Sequence, residues 1–167
     1  MTLPQNFTVP SILPLAQVYH FHVNLFAVPS CTQTTMPLAL RGRSLTQLTS
    51  STGLPLTYDV PLEVTWEAAA QRLEDLGRMI FEPDGSFVWS GVETGDRWQV
   101  DGHLFEFQFA GEPLLHRVEL HGHCPADQFD QLLVCVGWPK TTLVFELVLD
   151  GVALDEANFR RWVASAC

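Results

Sequence analysis

Between residues 18 and 25 apolar and polar positions alternate: Tyr19, Phe21, Val23 and Leu25 are apolar, and His20, His22 and Asn24 fall between them. A period of two is the pattern of a strand with one buried face and one wet face. The same period recurs in LFEFQF, residues 104–109, where Phe105, Phe107 and Phe109 share one side and Glu106 and Gln108 the other. Read this way, the three phenylalanines turn toward the core. The Asp-Gly pairs at 84–85 and 101–102 supply the positive-φ positions of tight turns, so residues 79–121 are expected as a central meander of hairpin strands.

Three segments follow the helical period instead. In WEAAAQRLEDLG the apolar positions Trp66, Ala69, Ala70, Leu73 and Leu76 recur at spacings of three and four behind Thr65, a good N-cap, predicting a helix over 66–77. Pro125 introduces a second helix over 126–137, with Phe129, Leu132, Leu133 and Val136 on one stripe. A third, over 154–164, carries Asp155 and Glu156 at its start and Arg160 and Arg161 toward its end, both favourable for the helix dipole. Leu56–Val64 reads as a further strand, and TTLVFELVL as a central one. Residues 30–52 carry ten Ser or Thr in twenty-three positions and read as a long loop or flap, with room for a short strand near 37–40 and a turn of helix near 44–48. The sum is a single α+β domain: a mainly antiparallel sheet of about six or seven strands packed against about three helices.

Composition narrows the function. Nine Lys plus Arg stand against nineteen Asp plus Glu, a net charge of −10, and the basic residues form no stripe. That balance argues against nucleic acid and against anionic membrane surfaces as partners. The N-terminal stretch lacks a basic region and holds Pro4, Pro10 and Pro14, a poor signal peptide, so the Asn6-Phe7-Thr8 sequon reads as a chance match. Cys31, Cys124, Cys135 and Cys167 form no C-x-x-C and are expected as reduced thiols. The expected location is cytoplasmic.

Candidate chemistry rests on two H-x-H pairs, VYHFHVN at 18–24 and ELHGHCP at 119–125. On a strand, H-x-H puts both imidazoles on one face, and imidazole suits zinc and related ions. His20, His22, His121 and His123, with Cys124 beside them, form the candidate metal set, with zinc the candidate ion. Glu106, Glu119 and His116 are candidates to line the same polar face. Whether the two pairs meet depends on strand order, which the pattern does not give.

No nucleophile elbow, P-loop or dinucleotide fingerprint is present. The leading expectation is therefore a non-catalytic binding or interaction module, its partner another protein or a second copy in a homodimer, meeting through a strand edge or an aromatic patch. The alternative is a small metalloprotein, with a hydrolytic water on the ion as one form of it. A third is a carrier of an apolar small molecule in a cavity lined by rings such as Trp66, Trp89 and Phe105.

Overall fold

The computed structural model describes residues 16–109 and 111–164, without the side chains of 108 and 109. The N-terminal stretch with its sequon, the side chain of Phe109 and Cys167 lie outside the described residues. Nine strands and three helices follow in the order β1 (Val18–Ala27), β2 (Gln33–Leu40), β3 (Arg43–Ser50), α1 (Trp66–Glu74), β4 (Met79–Phe81), β5 (Ser86–Glu93), β6 (Asp96–Phe109), β7 (Glu112–Pro125), α2 (Ala126–Cys135), β8 (Leu143–Leu147), β9 (Val152–Leu154) and α3 (Glu156–Val163). The strands form one antiparallel sheet ordered β2-β3-β9-β8-β1-β7-β6-β5-β4. The α+β class is as expected. The strand number is nine rather than six or seven.

The helices all cover the same face of this sheet. Beneath them lie Tyr19, Phe21, Val23 and Leu25 of β1, Val118 and Leu120 of β7, and Val100 and Leu104 of β6, all buried. Phe129 of α2 meets Phe21 at 4.8 Å and Phe159 of α3 at 5.5 Å between ring centroids, and Phe159 stacks on Phe145 of β8 at 4.5 Å. Two helix starts carry side-chain caps: Thr65 as the sequence suggests, and Asp155, expected inside the third helix, as the residue just before it. Thr65 accepts from the Ala68 amide at 3.1 Å, and Asp155 from the Asn158 amide at 2.8 Å.

Several elements depart from the sequence expectation, each for a physical reason. Asp101-Gly102 is not a turn, because β6 runs straight through it and the reversal occurs at Thr94 (φ +49°) and Gly95 (φ +89°). Gly102 is there for packing: a Cβ would lie 2.1 Å from the Phe87 ring. The Ser/Thr-rich segment expected as a flap instead holds the hairpin β2–β3, whose turn is Arg41-Gly42 with φ of +48° and +77°. Its hydroxyl-rich strands lie at the sheet margin, where β2 is largely exposed, so no burial alternation marks them in the sequence.

Residues 56–64, expected as a strand, cross the sheet as an irregular strap. Tyr58 stacks on Phe26 at 3.7 Å, and the Leu62 amide donates to the Leu115 carbonyl at 2.8 Å. Phe105 and Phe107, expected in the core, point to the face away from the helices. There Phe105 stacks on His103 at 4.3 Å, and Phe107 lies 5.2 Å from His116. A bulge in β7 leaves His116 as the extra residue opposite Phe105 and Glu106. Both sheet edges are blunted: β2 carries Pro37 within it and β4 is three residues long.

At Gly122 the backbones of β6 and β7 come unusually close. The glycine's φ is +138°, and a Cβ there would lie 2.2 Å from the Gln99 carbonyl oxygen of β6. Gly122→Ala is expected to cost about 3 kcal/mol, from backbone strain and forced separation of β6 from β7. Urea unfolding checks this, and an unchanged midpoint would contradict the packing described.

Candidate functional site

β1 and β7 are neighbours, and their register brings the two H-x-H pairs face to face: His20 opposite His123, and His22 opposite His121. The side of β1 to which each backbone group points fixes the kind of pairing. The His22 carbonyl accepts from the Val148 amide, toward β8, whereas the Gln17 carbonyl accepts from the Ala126 amide, toward β7. Even-numbered residues of β1 thus turn their backbone groups away from β7, and both histidine pairs occupy non-hydrogen-bonded positions. These are the closest cross-strand sites, about 4.5 Å between Cα atoms.

The rings reflect that closeness. His20 and His123 stack with centroids 5.1 Å apart and planes 9° apart; His22 and His121 are at 4.5 Å and 29°. One ring of each pair is held at its Nε2. His22 Nε2 lies 2.8 Å from Glu119 Oε1, and His123 Nε2 lies 3.3 Å from the Arg97 carbonyl oxygen. His20 and His121 are the exposed members. As they stand the rings meet face to face, and among the described residues no three His, Cys, Asp or Glu side chains are grouped to hold a metal ion.

The array sits on the bare part of the sheet. Around Phe26, Val144 and Ala153 the face is closed by Leu56 and Tyr58 of the strap. Burial, and then the Glu146 carboxylate, hold the Tyr58 hydroxyl well above its ordinary pKa, so it stays protonated. Away from the strap the face is open, and all six histidines of the chain lie on this side of the sheet. His103 is there with Phe105, and His116 packs against Phe26 and Phe107. Glu119 shares the face, as expected, but Glu106 alternates to the helix side and is exposed.

A crevice of about 380 Å³ runs beside the array, with Arg41, Leu149, Asp150 and Trp162 as its far wall. It opens because β8 pairs only with Val23–Ala27 of β1. The Arg41 guanidinium stands 5.8 Å from the Trp162 ring centre and 3.5 Å from Asp150 Oδ2. These rim residues carry no sequence signal, since they come from three separate elements joined only by the fold.

Cys124 is not with the histidines. One residue beyond His123, it faces the helices opposite Tyr19 and is fully buried. Burial, and then Asp127 and Asp130, push its thiol up to about 12. It is a neutral packing group and neither a ready nucleophile nor a thiolate ligand.

No protein-family model, curated protein or solved structure matches this chain. The functional reading therefore rests on the site itself.

Exposed thiols ionise near pH 8.5, whereas Cys124 stays protonated well above that. Alkylation of the native protein at pH 9, mapped by peptide mass spectrometry, is expected to label exposed Cys31 quickly and Cys124 only after denaturation. Equal labelling rates would overturn the placement of Cys124.

Proposed function

We propose that this chain is a non-catalytic binding module whose ligand is a divalent transition-metal ion, taken up by His20, His22, His121 and His123. One observation carries the reading: two H-x-H segments about a hundred residues apart are paired in register, on a part of the sheet face that, among the described residues, neither helix nor strap covers. Imidazole nitrogens are preferred donors for zinc, copper and nickel, and four imidazoles stand side by side on this wet surface.

Uptake requires the stacked rings to swing edge-on, so that lone pairs rather than ring faces meet the ion. Exposure of His20 and His121 leaves them free to do so, at a rotamer cost of order 1 kcal/mol. His22, with Nε2 on Glu119, offers Nδ1, the arrangement in which a carboxylate orients a ligating histidine. The non-catalytic part rests on the lack of any complete catalytic signature in the chain. A protein partner, a second copy included, would meet this same bare face, because both sheet edges are blunted.

The test is elemental analysis of untagged protein purified without chelator, before and after loading with zinc or copper and dialysis. The wild type is expected to retain metal near stoichiometry. His20→Ala/His22→Ala and His121→Ala/His123→Ala are each expected to lose it while keeping the wild-type far-ultraviolet dichroism. A wild type that remains metal-free after loading would refute the reading.

A further inference from the structure

The geometry points to more than metal binding. We infer that the array takes one ion per chain in a tetragonal, four-nitrogen environment, the coordination of copper(II) or nickel(II), rather than in a tetrahedral zinc site. This rests on the reading that His20, His22, His121 and His123 bind a divalent transition-metal ion.

Because His20 faces His123 and His22 faces His121 at non-hydrogen-bonded positions, the four Cα atoms mark a rectangle. Its cross-strand side is about 4.5 Å and its along-strand side about 6.7 Å, two strand rises. The ring centroid separations of 4.5 and 5.1 Å match the short side. All four side chains project from the same side of the sheet. Donors rising from the corners of a rectangle meet an ion above its centre as a near-planar set, and they approach it from one hemisphere.

That arrangement suits some ions and not others. A tetrahedral ion needs ligands distributed around it, and structural zinc sites achieve this by folding chain over the metal. Among the described residues nothing closes over this array: the strap covers the face only near Phe26, and the β8–β9 turn and Arg41 stand to the side across the crevice. Copper(II) and nickel(II) instead take four nitrogens in a plane and leave the axial positions to water. The tethers add a second feature. His22 and His123, the two rings held at Nε2, occupy one diagonal of the rectangle, and the exposed His20 and His121 occupy the other. Two oriented donors and two exposed ones can close a planar set from opposite corners.

Copper alone is not diagnostic by affinity, because it outcompetes zinc at most nitrogen sites. The experiment therefore reads geometry and stoichiometry, on the full chain titrated with copper(II). Electron paramagnetic resonance is expected to show one ion per chain with four equatorial nitrogens. That four-nitrogen signal should be lost in both His20→Ala/His123→Ala and His22→Ala/His121→Ala. Cobalt(II)-loaded protein is expected to show only weak visible absorption. Two copper ions per chain with two nitrogens each, or the intense visible bands of tetrahedral cobalt, would overturn the inference while leaving metal binding intact. No bound ion of any kind would overturn both.

Discussion

The register between β1 and β7 is the constraint on which the rest of this protein depends. Tyr19, Phe21, Val23 and Leu25 have to reach the helices, and Cys124, Leu120 and Val118 have to reach the same layer from the neighbouring strand. Side chains alternate with a period of two, so once those residues are buried the histidines between them have one place to go. A slip of one residue would exchange the faces of a whole strand, setting imidazoles against Phe129 and aromatic rings against water. The hydrophobic effect on one face thus fixes the chemistry on the other, at about 1.5–3 kcal/mol for each large side chain buried.

The two faces then divide the labour of the fold. The helix side is filled by rings that glycines make room for: Gly91 lies under Trp98 and Gly102 under Phe87. Aromatic side chains there pack against one another. The opposite face is a patchwork. Near β8 it is a small second core under the strap, and near the amino-terminal half of β1 it is bare and histidine-rich. The crevice beside it follows from β8 being only five residues long.

How much of this could be read from the sequence divides along local and non-local lines. The alternation in β1, the helix stripes and the cap at Thr65 are written in a few neighbouring residues, and the structure contains them. Asp101-Gly102 is equally local and misled, because a glycine needed for an aromatic neighbour looks the same as one needed for a turn. Phe105 and Phe107 misled in another way. Hydrophobicity assigns them inward, but Leu104 takes the core position, and they pack with Arg117 and His116 on the open side. Of the β2–β3 hairpin the sequence suggests only a short strand near 37–40, because the largely exposed β2 buries too little to leave a pattern. The meeting of the two H-x-H pairs lay beyond reach for a plainer reason: strand order joins residues a hundred positions apart, and no periodicity encodes it.

The candidate site exists only if β1 and β7 pair in this register. Nuclear magnetic resonance of the isotope-labelled protein would test it most directly, through Hα–Hα cross-relaxation between β1 and β7, which is strongest at non-hydrogen-bonded pairs. The register described here predicts cross-peaks joining His20 to His123 and His22 to His121. Cross-peaks displaced to other partners, or none between these strands, would separate the two histidine pairs and contradict the site built from them.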